Sequence, residues 1–152
     1  MTTLVLILHA FAAIIAFGLL PIPGIFAFIV GSKANIATIR RVFALAVARG
    51  KFAGPLAIIG ALLGFELAWL LHFSYTESWL VAAYIAFALL LVIGLGYHNR
   101  WEERVLRAAI NAPSDEQTPE LRALFNEPMT IPAQAASIML WFALFYLMIV
   151  RP

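Results

Sequence analysis

The chain reads as an all-α membrane protein, a bundle of four transmembrane helices with amphipathic and short helices on the cytoplasmic side. Three observations predict this. Of the 152 residues, 64% are hydrophobic and only 12% are charged, a balance that no soluble globular domain of this size shows. The mean hydropathy is +0.96. Four apolar runs reach the roughly 20 residues that cross a bilayer: about Leu4–Val30, Phe52–Phe73, Ser78–Tyr97 and Ile131–Val150. The remaining chain forms two loops, 31–51 and 98–130, and the whole is expected to be a single membrane domain, 1–152.

The first run begins at Met1-Thr2-Thr3, with no basic leader and no small-x-small cleavage site, so it is expected to stay as an anchor and not to be removed as a signal peptide. Pro21-Ile22-Pro23-Gly24 falls inside it and predicts a kink or break in its inner half. In the loop that follows, Ile36, Ile39, Phe43 and Val47 fall on one stripe, with Arg41 and Arg49 opposite. Two readings fit residues 35–49: an amphipathic helix lying on the anionic inner leaflet, or an extension of the second span. The third span is expected to run past Tyr97 into 101–107 and to stop at Pro113. Thr118 caps a short helix with Pro119 at its first position, and Thr130 is expected to cap the fourth span.

Charge sets the orientation. Lys33, Arg40, Arg41, Arg49 and Lys51 lie in the first loop, Arg100, Arg104, Arg107 and Arg122 in the other, and Arg151 alone is elsewhere. The positive-inside rule then puts both loops in the cytoplasm and both termini outside, periplasmic in a bacterial inner membrane. The first five are expected to form a basic membrane surface. The excess of positive charge, +2 overall, follows topology and points to no nucleic acid. Trp69, Tyr75 and Trp79 read as an outer aromatic belt, Tyr97 and Trp101 as an inner one. With no cysteine in the chain, disulfides, thiolate ligands and covalent c-type haem attachment are excluded.

Small residues let helices approach closely in lipid. Gly60 and Gly64 form such a face on the second span, and Ala12, Ala13 and Ala16 on the first, within about 60° of His9. Gln134 is a buried hydrogen-bonding candidate on the fourth span. His9 and Glu66 are the readily titrating side chains inside the apolar runs. At 1.5 Å per residue each sits roughly 10 Å below the outer boundary. An ionisable group there is paired or functional, so both are the cofactor-binding candidates, and a hydrogen-bonded His9–Glu66 pair is one reading. A structural polar contact is the other. His72 and His98 differ in depth and read as boundary residues, which disfavours a bis-histidine haem.

Leu8-His9-Ala10-Phe11-Ala12-Ala13, then Phe52-Ala53-Gly54-Pro55 with Gly60 to Gly64, and the tail from Phe145 to Pro152 resemble a bacterial four-helix membrane family, domain of unknown function 2269. A looser similarity, in the early Leu-His, is to the membrane protoporphyrinogen oxidases. From that pattern the chain departs, with Pro21-Ile22-Pro23 where a Tyr-Leu-Pro-Arg-type stretch would stand. The resemblance implies the four-helix architecture and a bacterial inner membrane.

No nucleophile motif, phosphate loop or carboxylate cluster is present. The leading expectation is a non-catalytic accessory or structural subunit, with the lipid bilayer and other membrane subunits as partners. The alternatives are a porphyrin- or quinone-linked redox protein using His9 with Glu66, haem or another porphyrin then being its cofactor, and a small proton-coupled carrier.

Overall fold

The computed structural model describes residues 1–19 and 21–150. Its helices are α1 (Thr2–Leu19), α2 (Pro21–Gly31), α3 (Ile36–Leu70), α4 (Ser78–Ile93), α5 (Asn99–Ile110), α6 (Pro119–Phe125) and α7 (Thr130–Val150), with a π-helical turn, Gly94–His98, joining α4 to α5. Four rods are long and apolar enough to cross a membrane: Thr2–Gly31, Ile36–Leu70, Ser78–Ile110 and Pro119–Val150. Leu20, which precedes the Pro21–Gly24 cluster where a kink or break is expected, lies outside the described residues, as do Arg151 and Pro152.

The rods run antiparallel in sequence order. Both described termini and the 71–77 turn therefore lie at one end, the terminal end. The 32–35 turn, α5 and α6 lie at the other, the basic end. Backbones come closest along α1 and α3 and along α4 and α7, while α5 packs on α3.

The second rod corrects the expected boundary at Phe52. Helix α3 is continuous for 35 residues, through Arg49-Gly50-Lys51 and Pro55. Asn35 starts it, its side chain accepting from the Thr38 N–H at 2.9 Å, a normal N-cap. Tertiary packing carries the helix through its charged stretch. Ile36, Ile39, Phe43 and Ala46 are buried in one cluster with Trp101, Val105 and Ala109 of α5 and Leu121 and Phe125 of α6. Protein, not the lipid leaflet, thus covers Ile36, Ile39 and Phe43 of the apolar stripe, while Val47 is half-buried. The two expected loops are largely helical, and Trp101 is fully buried at their centre and belongs to no aromatic belt. Trp79 is also buried, whereas Trp69 and Tyr75 are exposed.

Local chemistry explains the other ends. Thr118 accepts from the Leu121 N–H at 3.3 Å, and Pro119 opens α6 where no N–H is needed. Thr130 already lies in α7, and its hydroxyl bonds Tyr97 Oη at 2.7 Å. At the end of α3, His72 adopts φ 57°. The Phe73 N–H reaches back to Ala68 O at 3.0 Å and the His72 N–H to Trp69 O at 3.0 Å. This is a Schellman-type end whose left-handed residue favours glycine. His72→Gly is expected to raise thermal stability by the equivalent of about 1 kcal/mol, read as an increased melting temperature in detergent. An unchanged or lowered value counts against it.

Candidate functional site

Toward the terminal end, α1 seats on the glycine face of α3. Ala12 Cβ lies 3.4 Å from where a Cβ on Gly60 would stand, and His9 Cε1 lies 3.0 Å from the corresponding point on Gly64. The glycines make room for the imidazole, which is 8% exposed. His9 Nδ1 donates to Gly60 O at 2.8 Å. A carbonyl only accepts, so Nδ1 carries the proton. Nε2 then faces Met148 Sδ at 3.4 Å.

Glu66 is on the other side of α3. It is exposed, in a stripe with Leu62 and Trp69, which are 62% and 60% exposed. Successive helical residues rotate by about 100°, which turns Glu66 some 120–160° from Gly60 and Gly64. The structure does not bring the two cofactor-binding candidates together: both His9 ring nitrogens contact other groups, and Glu66 has no hydrogen bond or ion pair among the described residues.

The half toward the basic end holds a second polar cluster, which motif and depth reasoning missed. Arg49 leaves the expected basic surface and turns inward. Its Nη2 pairs with Glu102 Oε1 at 2.5 Å, the side chains being 10% and 6% exposed. Its Nη1 donates to Leu19 O at 2.5 Å. That carbonyl would normally accept from residue 23, but Pro23 has no N–H, so the guanidinium supplies the donor. On the facing rods, the side chains of His98 and Ser137 bond, Nε2 to Oγ, at 3.0 Å. The π turn lies between Ile93 and Asn99; such turns recur at functional sites.

One signal for Glu102 was legible. It shares a face of α5 with Val105 and Ala109, spaced three and seven residues on, and all three are buried. An acid on the apolar side of an amphipathic helix implies a buried partner.

A cavity of about 80 Å³ opens among these groups. Arg49, His98, Asn99, Glu102, Gln134 and Ser137 form its polar part, and Phe87, Leu90 and Trp141 belong to its apolar wall. Drug-sized or cofactor pockets span about 300–1,000 Å³, so this space suits solutes far smaller than a porphyrin. Among the described residues no three His, Cys, Asp or Glu side chains are grouped to hold a metal.

The remaining basic candidates divide. Lys33, Arg41 and Lys51 are exposed. Arg40 Nε instead donates to Ala109 O at 2.8 Å, and Nη2 to Ala112 O at 3.3 Å, adding donors to carbonyls at and just past the end of α5. Arg104 forms two bonds with Glu127, at 2.5 and 2.9 Å.

Four apolar rods with this pattern of loops fit one sequence family along their whole length, its profile matching residues 3–152. The chain belongs to the DUF2269 family of predicted integral membrane proteins. No curated protein and no solved structure matches it. For this DUF2269 protein the chemistry must therefore be argued from its own two polar places, the His9 seat and the Arg49–Glu102 cavity, and from the outward carboxyl of Glu66.

Proposed function

We propose that this DUF2269 protein is a non-catalytic accessory subunit that packs within a larger complex of the bacterial inner membrane. We place its basic end in the cytoplasm and its termini in the periplasm. Lys33, Arg41 and Lys51, exposed at one end, support that orientation. Residues 1–152 act as one membrane domain.

The observation that carries the reading is the position of Glu66. A carboxyl in the lipid-facing stripe of α3, flanked by exposed Leu62 and Trp69, is costly in hydrocarbon. A hydrogen-bond donor on a neighbouring helix offsets that cost. Its own chain gives Glu66 no such donor among the described residues. The partner is thus a transmembrane helix of another subunit bearing a basic or amide side chain at the same depth.

The native protein, purified in mild detergent, is expected to bring down a second chain. Glu66→Leu is expected to lose at least about 10-fold of that chain, the effect of a 1.4 kcal/mol contact, while the purified variant keeps its helical content. Glu66→Gln retains part of it. Recovery of a stable monomer alone, or full retention of the partner by Glu66→Leu, would overturn the proposal.

A second reading rests on His9. With Nδ1–H fixed by Gly60 O, Nε2 presents its lone pair, the arrangement that orients a histidine ligand. A haem or related pigment would have to displace Met148 from that nitrogen. A Soret band abolished by His9→Ala supports this reading, and a colourless pure protein retires it.

A further inference from the structure

We infer that the cavity bounded by Arg49, His98, Glu102 and Gln134 is a hydrated pocket that binds a cluster of ordered waters inside the inner half of the membrane. The inference is independent of the subunit reading. Its anchor is Gln134. This side chain is only 8% exposed, it lines the cavity, and its amide has no hydrogen bond to any described residue. Its amide atoms are not among those fully shut off without a partner, so water reaching them through the cavity can supply the bonds that buried polar groups nearly always have. Its surroundings are open: Gly54 and Gly94 line the same cavity, and a Cβ on either would meet nothing within 4 Å.

The lining selects the guest. A water needs about 10–15 Å³ of such volume, so about 80 Å³ admits roughly five to eight. The Gln134 amide offers both a donor and an acceptor, Glu102 accepts and Arg49 donates. A carboxylate or phosphate would meet Glu102 as a like charge, and an ammonium would meet Arg49. Water, which donates and accepts and carries no charge, satisfies every group at once. The cluster bridges the Gln134 amide to the Arg49–Glu102 pair on one side and to the His98–Ser137 pair on the other. The apolar wall of Phe87, Leu90 and Trp141 ends it toward the membrane centre.

The chain contains no cysteine, so single-cysteine reporters need no background changes. Gly54→Cys places a thiol in the pocket. Gly18→Cys places one on an exposed, open stretch of α1, and Glu116→Cys one in the basic-end loop. In proteoliposomes, methanethiosulfonate ethylammonium present on both sides reacts with thiolates, which form in water and not in hydrocarbon. Mass spectrometry is expected to show Gly54→Cys modified within about 10-fold of the rate at Glu116→Cys, and at least about 100-fold faster than Gly18→Cys. Gly54→Cys as slow as Gly18→Cys would overturn the proposal. Gln134→Leu gives a second readout. It is expected to lower the melting temperature and to slow modification of Gly54→Cys, because it removes a water-binding group. A raised melting temperature is the mark of a dry cavity relieved of an orphan amide, and would equally overturn it.

Discussion

Replacing Glu102 with leucine is expected to cost about 3–5 kcal/mol, the effect of leaving one member of a buried ion pair without its counter-charge. Arg49 would lose the carboxylate at 2.5 Å while staying about nine-tenths buried, between the end of α1, the middle of α3 and the start of α5. The double variant Arg49→Met, Glu102→Leu is expected to recover most of that loss. Two apolar side chains of similar volume impose no desolvation cost, and replacing a whole buried pair in this way is often neutral or better. The recovery should be incomplete, because Leu19 O loses the donor that Arg49 Nη1 supplies and Pro23 has none to give. The exposed pair is the control. Arg104 and Glu127, with side chains 42% and 26% exposed, should couple by only about 0–1 kcal/mol. Denaturant titration in detergent of the four variants in each cycle measures both couplings. Equal losses at the two pairs would refute the argument that burial sets the difference.

These two pairs show where sequence reading stops. The spans were legible because crossing hydrocarbon demands about 20 apolar residues whatever the partners. The Thr118 cap and the Pro119 start were legible because capping is local chemistry. The fate of residues 35–49 was not. Their amphipathic stripe fits a leaflet as well as it fits protein, and only the positions of α5 and α6 decide that Phe43 and Ile39 meet Trp101 and Leu121. Arg49 looked like its neighbours Arg41 and Lys51 because charge counting cannot see a carboxylate 53 residues away. For Glu66, wheel geometry gave a direction away from the glycine face, and the structure has it exposed there. For His9 the wheel indicated a packed neighbour, and the structure supplies Gly60 O and Met148 Sδ. Long-range pairing, not local pattern, is what a single sequence withholds.

Trp101→Ala should produce the second large loss, about 3–5 kcal/mol, and should produce it in one part of the molecule. Trp101 is fully buried. Its Nε1–H donates to Leu124 O at 3.0 Å, and its ring meets Phe43 and Phe125 nearly edge-on at centroid distances of 5.5 and 5.9 Å. The indole thus joins α3, α5 and α6 at the basic end, which a third span over 78–97 would leave outside the lipid. That location decides the outcome. Between spanning helices the hydrophobic effect contributes little, since lipid is as apolar as the partner helix. With the lipid ending near Tyr97, the alternative environment around Trp101 is water, and the full transfer and cavity costs are expected to apply. The variant is therefore expected to open α5 and α6 locally while the four rods stay inserted. Amide exchange should accelerate across 99–125 and change little across 5–18 and 135–148, with most of the helical circular dichroism retained. Trp101→Phe keeps an aromatic ring but leaves Leu124 O without its donor, and should show a smaller loss of about 1–3 kcal/mol. Uniform acceleration of exchange along all four rods would mean that the basic-end core and the spanning bundle unfold as one unit, against the division of forces argued from where Trp101 sits.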